Sequence, residues 1–506
     1  MRYYTQGVMA ADDLRLRFGR LSLALRRPAL KRPAPPGLVI ALGLASAVVW
    51  FLADDWIPAV ALWILWAGWR YLPTGEGPPV LPMAYTFQWM QITVGLYYYA
   101  FTGNRLSAMV FSDYRSMVLI GLGCLVALLL GLKLGVTLVR RQPGVVRASS
   151  EAFTWPVLVA CYAVAIALIG TIQELAWDVP VLTQGILALT YGRFALLFLI
   201  FHRLSQPRIR FGWIAVLLAG EIVLGFTGFF AGFREPMMIA AIALTGAFDR
   251  REVKHWVVLG AVGVAMLATG VWWMGIRTEY RGGFDDEMFA ASREARLERV
   301  AELSSEWWKR SPSEIVSDID MFVDRLWTVY YPALALDLVP DVLPHENGAL
   351  LWKAVLHVLT PRLLFPDKPP LESDSEMVRK YAGIWVGGQD ENTSIAFGYA
   401  GESYIDFGVP LMFLPVLAYG LLMGTAYQWL FRLIRRRELA SAAAVAIFWM
   451  ALYLFERSWI NMLGLSVTLF GYLGGGVFLL DRFLGRHRAS GSRARLRRVR
   501  PDVAST

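Results

Sequence analysis

IRTEYRGG at 276–283 and AFGYAGESYIDFG at 396–408 bracket the one long polar interval of a chain that otherwise alternates apolar blocks with short basic links. The interval from Ile276 to Asp406 also holds LTPRLLFPDKPP at 359–370. Hydrophobic stretches flank it on both sides. At about 130 residues it is far longer than an ordinary connection, and connections of that length usually carry function.

Outward from this interval the sequence reads as membrane. Of 506 residues, 56% are hydrophobic and 18% charged, where soluble domains average roughly 45–50% and about 25%. The mean hydropathy is +0.47. The apolar excess comes in blocks of roughly 20 residues, the length that crosses a ~30 Å hydrocarbon core. The short alternating strands of a membrane barrel are missing. The expected fold is therefore an all-α polytopic membrane protein of about 12 transmembrane helices. The spans read as Gly37 to Ala53, Trp56 to Tyr71, Val80 to Phe101, Ser116 to Val139, Phe153 to Ala176, Val181 to Phe201, Phe211 to Gly232, Pro236 to Phe248, His255 to Met274, Phe407 to Phe431, Ala440 to Phe455 and Met462 to Leu480. The second and eighth are short, and the second contains Pro58; a re-entrant reading of either changes the count. The chain then divides into a basic tail (1–36), a first bundle part (37–275), a large extracytoplasmic loop between helices nine and ten (276–406), a second bundle part (407–484) and a second basic tail (485–506).

A net charge of +9 raises nucleic acid as a partner, but the placement of the charge speaks for topology. Links expected inside carry Arg140, Arg141 and Arg147; Arg203, Arg208 and Arg210; Arg250, Arg251 and Lys254; and Arg432, Arg435, Arg436 and Arg437. Only the link at 72–79 lacks a basic residue. This positive-inside pattern puts both termini in the cytoplasm and 276–406 outside. RLRFGRLSLALRR at 15–27 is either an amphipathic helix on the anionic inner leaflet or a solvated tail. No cleavage site is evident, so the first span reads as a retained anchor. Cys124 and Cys161 both fall in spans, which argues against a disulfide framework or a cysteine metal site.

Within the interval, 285–310 and 313–338 have helical periodicity and end in or contain Trp307, Trp308, Trp327, Tyr330 and Tyr331. They are expected to lie along the interface, apolar side down. Prolines 361, 366, 369 and 370 then enforce an irregular segment.

Five groups of polar residues at the outer ends of spans are candidates for chemistry. Arg234 in GFREPM can reach a headgroup phosphate by bidentate hydrogen bonds; the alternative is snorkelling or a pair with Glu235. Arg277 and Arg281 leave span nine four residues apart and share a face if the helix continues; the alternative is an interfacial anchor. His357, Arg362 and Lys368 sit on the proline-framed segment. His357 is a candidate base, since an unperturbed imidazole titrates at ~6.5, although a lone histidine on an apolar stretch is more often structural. Glu402, Tyr404 and Asp406 precede span ten, where a carboxylate can accept a proton from a sugar hydroxyl or merely hold arginines in place. Arg457 in ERSWIN lies between spans eleven and twelve beside Glu456. Arg193 and Glu221 fall mid-membrane on neighbouring spans and read first as an ion pair, second as part of a polar path. The pair Asp318 and Asp320 resembles a metal–nucleotide DxD, but it sits in an amphipathic helix with no βαβ context. No P-loop, dinucleotide fingerprint or HExxH is present.

This layout, with the arginine of GFREPM after span seven, PRLLFPDKP at 361–369 and GESYIDFG at 401–408, resembles the oligosaccharide repeat-unit polymerases, the Wzy-like O-antigen and exopolysaccharide polymerase family. The resemblance implies a lipid-sugar glycosyltransferase-like bundle in the bacterial inner membrane, acting at its periplasmic face. It implies transfer of a glycan from undecaprenyl diphosphate to another lipid-linked repeat unit, with no metal and no cofactor. The partners implied are undecaprenyl-diphosphate-linked oligosaccharides and membrane lipids, with a chain-length regulator as the open protein partner and no nucleic acid. A diphosphate leaving group gains charge as the glycosidic bond breaks, and preorganised cations stabilise it. Arg234, Arg277, Arg281, Arg362, Lys368 and Arg457 are the candidates for that role, Glu402 and then His357 for the base, and Tyr280, Tyr404 and Asp406 for the glycan. An O-antigen ligase, a polysaccharide transporter or flippase, and a scaffold subunit are the rival readings.

Overall fold

The computed structural model describes residues 36–73, 77–139, 153–178, 183–206, 209–226, 234–246, 248, 252–282, 292–361, 364–365, 368, 372–388 and 394–485. Among them the architecture is all-helical, with no strand. Among the described residues three helices are long and apolar enough to cross a membrane by length and composition: Tyr114–Leu138, Val253–Gly282 and Trp459–Gly485.

A helix stands at each of the twelve apolar stretches. In chain order these are α1 (Pro36–Ala53), α2 (Ile57–Tyr71), α3 (Val80–Thr102), the short α4 (Ser107–Phe111), α5 (Tyr114–Leu138), α6 (Trp155–Asp178), α7 (Thr183–Leu204), α8 (Phe211–Phe226), α9 (Arg234–Gly246) and α10 (Val253–Gly282). After the polar interval come α17 (Phe413–Leu433), α18 (Arg437–Ala444, running on through a π-helical turn at Val445–Trp449) and α19 (Trp459–Gly485, with a π turn at Leu469–Gly474). At 13 described residues α9 is the shortest of the ten helices at these stretches before α18; at ~1.5 Å per residue these rise ~20 Å, against a hydrocarbon core of ~30 Å.

The interval itself folds into α11 (Arg293–Trp307), α12 (Pro312–Leu326), α13 (Tyr330–Leu338), α14 (Ala349–Leu359), α15 (Asp374–Ala382) and α16 (Gly398–Phe407). It is not a separate body. Trp307, Val323, Trp327, Ala333, Ala354 and Tyr399 join the core built by α3, α5, α7 and α18. A small second core gathers Val339, Val378, Tyr381, Phe397 and Ile405.

Two expectations shift. The periodic run at 313–338 is two helices, because the chain turns at Trp327 and drives its ring into α3. Its indole Nε1 donates to the Ile92 carbonyl at 2.7 Å, and the ring occupies the space a Cβ at Gly95 would need. The segment is thus keyed into the bundle instead of lying flat on an interface. Likewise GYAGESYIDF does not lead straight into the next span. It forms the buried α16, which stops at Gly408 with φ 63°; α17 begins only at Phe413. The run at 285–310 begins outside the described residues, and its described part is α11.

The tightest helix pair joins elements far apart in sequence. Gly131 of α5 and Gly420 of α17 lie at the crossing, where the backbones meet: a Cβ at Gly420 would fall 2.7 Å from the Leu128 carbonyl oxygen, and one at Gly131 2.8 Å from the Leu421 nitrogen. Gly135 and Gly424 repeat the contact one turn on. This is a small-xxx-small packing on both helices.

Candidate functional site

The site is built at the start of α9, where an arginine is the first described helical residue. Arg234 Nη2 donates to the Tyr453 hydroxyl at 3.0 Å, and that hydroxyl donates to Glu235 Oε1 at 2.9 Å. Arg234 is also 3.3 Å from the same carboxylate oxygen. Two guanidiniums lie within cation–π distance of the Tyr453 ring, that of Arg234 at 5.2 Å and that of Arg457 at 5.5 Å. Tyr453 is held by stacking on Trp449, centroids 4.9 Å apart. Arg457 donates to the Met450 carbonyl, one of the acceptors left open where α18 ends.

The second half of the site comes from α10 and α12. α10 stays helical to Gly282, so Arg277 and Arg281 do share a face. Arg277 lies within electrostatic reach of Arg281, Arg325 and Glu456. Arg325, in the last turn of α12, pairs with Glu456 at 2.9 Å. Among the described residues neither Arg277 nor Arg281 pairs with a carboxylate. Five guanidiniums thus gather around two carboxylates, Glu235 and Glu456. Partly buried like charges repel unless an anion joins them, so the arrangement is suited to a polyanionic group.

α12 is fixed in place by a separate network. Arg310 binds Asp318 at 2.8 Å and the Gly275 carbonyl at 3.0 Å, while Trp307 Nε1 donates to Asp318 at 2.8 Å. Asp320 instead accepts from Tyr98 and, at 3.2 Å, from Asn104. The two acids of the DxD thus face different partners and do not converge. Among the described residues no three His, Cys, Asp or Glu side chains gather as a metal site.

The remaining candidates are engaged elsewhere. Glu402 is buried, with Oε2 accepting the Trp459 N–H at 2.8 Å. It thereby satisfies an open donor at the start of α19. Burial pushes its carboxyl up to about 8, with Asp374 and Asp406 adding to the rise against the Trp459 N–H. Through Trp459 it holds the turn at 457–459, two residues from Arg457. Asp406 is buried and accepts from the Leu350 and Leu351 N–H groups at 3.0 and 2.8 Å; it caps α14, a structural task in place of the glycan contact. Tyr404 gives its hydroxyl to the Val339 carbonyl at 2.9 Å. Tyr280 is 2% exposed and packs edge-on against Trp273, so it has no open face for a sugar. Lys368 donates to the His357 and Thr360 carbonyls and closes the end of α14, which packs on α16 and α19. His357 lies in the last turn of α14. Arg362 lies outside the described residues, as do Arg140, Arg141, Arg147, Arg208, Arg250, Arg251 and the 15–27 stretch. Arg193 and Glu221 do meet, at 3.9 Å, with the Tyr162 hydroxyl as a third partner.

Arg325, Tyr453 and Glu456 complete the site; sequence reasoning gave Arg325 and Tyr453 no role there and read Glu456 as the alternative neutralising partner of Arg457, whereas it pairs with Arg325. Arg325 looks like one more charge on an amphipathic helix. Tyr453 sits four residues before Arg457 at the end of an apolar run, a spacing that was available as a signal.

No curated protein and no solved structure matches this chain. A family model described as a domain of unknown function, DUF8712, matches residues 106–431. That range takes in Arg234, Arg277, Arg281, Arg325 and Glu402, together with all four glycines of the α5–α17 crossing; Arg457 and α3 lie beyond it. The match covers more than half of the sequence, and the chain belongs to the DUF8712 family.

Proposed function

We propose that this chain polymerises undecaprenyl-diphosphate-linked oligosaccharide repeat units at the periplasmic face of the bacterial inner membrane. The observation that carries this reading is the gathering of Arg234, Arg277, Arg281, Arg325 and Arg457 around two carboxylates. In the reaction, the hydroxyl of one lipid-linked unit attacks the anomeric carbon of another. The bond from that carbon to the diphosphate oxygen breaks, the hydroxyl proton passes to a base, and undecaprenyl diphosphate leaves. The donor carries its own leaving group, so no nucleotide sugar is required. Guanidiniums already in place where the negative charge develops lower the barrier without reorganising, and Arg binds a diphosphate bidentately where Lys would not. The twelve apolar helices cross the membrane in this proposal, with both termini cytoplasmic and the basic links inside.

The test is the glycan profile of a host strain lacking this chain, complemented with wild type, Arg277→Ala or Arg234→Ala at matched membrane levels. The ladder should collapse to single repeat units in the deletion. Each variant should restore it about 10²-fold less efficiently, as for loss of one preorganised donor. Full-length polymer left unligated on lipid would assign the chain to an O-antigen ligase. Repeat units trapped on the cytoplasmic side would make it a flippase, and an unchanged ladder in the deletion would end the enzyme reading.

A further inference from the structure

An apolar cavity of ≈ 170 Å³ lies among α3, α9 and α10. Met83, Met90, Met238 and Met266 line it with Phe87 and Gly263, and hardly any polar surface faces it. The site described above does not use it. It is nevertheless next to the arginines. The Phe87 ring lies 5.6 Å from that of Tyr453, whose hydroxyl is 3.0 Å from Arg234 Nη2. Met238 stands one helical turn along α9 from Arg234. Only one aromatic ring therefore separates a cluster of guanidiniums from an apolar hole. On its outer side α10 shows Val257, Val264 and Leu267, each more than half exposed, so the helix that walls the cavity also faces lipid.

We infer that cavity and arginines are the two ends of one amphiphile site, which takes a polyprenyl diphosphate with the first carbons of its chain among the methionines. The inference rests on reading the arginines as the diphosphate site. Charge complementarity fixes the head: an anion at Arg234, Arg277 and Arg457 brings its tail past Tyr453 to Phe87. Volume fixes the tail as one chain. A dry cavity of ~150 Å³ accommodates a benzene, so this one holds about six carbons, which a glycerol with two diverging acyl chains does not fit. Methionines supply flexible, polarisable walls that adapt to a methyl-branched, unsaturated chain.

Gly263 offers a clean test, because a Cβ built there meets nothing within 4 Å. Gly263 lines the cavity, so Gly263→Phe adds bulk there from an unobstructed Cβ position. The full chain in nanodiscs is irradiated with a sugar-free, diazirine-bearing geranylgeranyl diphosphate, and the labelled peptides are mapped by mass spectrometry. Label is expected on the peptides holding Met238 and Met266, displaced by undecaprenyl diphosphate and not by phosphatidylglycerol. Gly263→Phe, or Gly263→Leu if the first is not recovered folded, should lower it at least tenfold, and so should Arg234→Ala. Equal labelling by a photoreactive phosphatidylglycerol would mean bulk lipid only and overturn the inference, as would undiminished labelling of the filled variants. The probe carries no sugar, so the two readings fail separately. Lost labelling beside an intact glycan ladder removes the groove alone. Competed labelling beside a ladder indifferent to the chain removes the polymerase alone.

Discussion

Glu402 shows how far a side chain's environment departs from its sequence context. The GESYIDFG stretch suggests a carboxylate at the mouth of a span, ready to accept a proton. In the fold it is buried against the Trp459 N–H, a partner 57 positions away. Its carboxyl is pushed from 4.5 up to about 8, chiefly by burial. The folded chain therefore holds this proton more tightly than the unfolded chain does. The associated stability is fully present below the unfolded value and is lost as pH rises through the folded one. The melting temperature of the purified protein should fall between pH 5 and pH 8.5, and Glu402→Gln should flatten that slope while keeping an acceptor for Trp459. An equally steep fall in the variant would assign the effect elsewhere. Asp374 belongs to the same neighbourhood: burial raises its carboxyl, against hydrogen bonds from Ser458, Ser394 and Asn461. The arginines were easier to read than the acids, because a guanidinium at a span end has few tasks, whereas a carboxylate there serves equally as base, cap or counter-ion. Asp406, capping α14, is the case in point.

Among elements, hydropathy made the apolar helices legible, since burial in lipid and burial in protein select the same side chains, but their ends less so: α10 runs on to Gly282 and α17 begins only at Phe413. Which helices meet was not legible. GLKLG at 131–135 and GLLMG at 420–424 are each visible as a glycine pair, yet nothing local says that they face one another. The crossing leaves no room for a methyl group, and overpacking costs typically 1–3 kcal/mol. Gly420→Ala should lower the melting temperature in detergent by several degrees and reduce recovery of folded protein. Gly476→Ala, where a Cβ meets nothing within 4 Å, should leave both unchanged; equal behaviour of the two variants would show that the crossing does not limit stability. The break at Trp327 was partly visible, because Pro332 interrupts the run 313–338 and falls in the first turn of α13, where a proline marks a helix start. That the ring of Trp327 packs into the space at Gly95 was not visible.

At the scale of the molecule, the basic links and the polar interval make a single topological claim. A cysteine placed at Lys309, exposed in the turn after α11, should react with a membrane-impermeant maleimide added outside intact spheroplasts. One placed at Arg432 should react only after the membrane is opened. Cys161, the exposed native thiol, is first replaced by serine. The reverse pattern would invert the orientation and move the arginine cluster to the cytoplasmic side, where the proposed lipid-linked donor would be met before export.

The keying of the polar interval into α3 bears on how the protein is made. Gln88 and Gln91 are buried in α3, yet their partners are synthesised hundreds of residues later: Tyr399 and the Leu452 carbonyl for Gln88, the Phe455 N–H for Gln91. The Gln91 main-chain carbonyl also accepts from the Thr328 N–H. Until those arrive, α3 carries unmet amide groups that hydrocarbon does not satisfy. On the membrane topology proposed above, this early helix therefore depends on shelter by the insertion machinery until its partners are made.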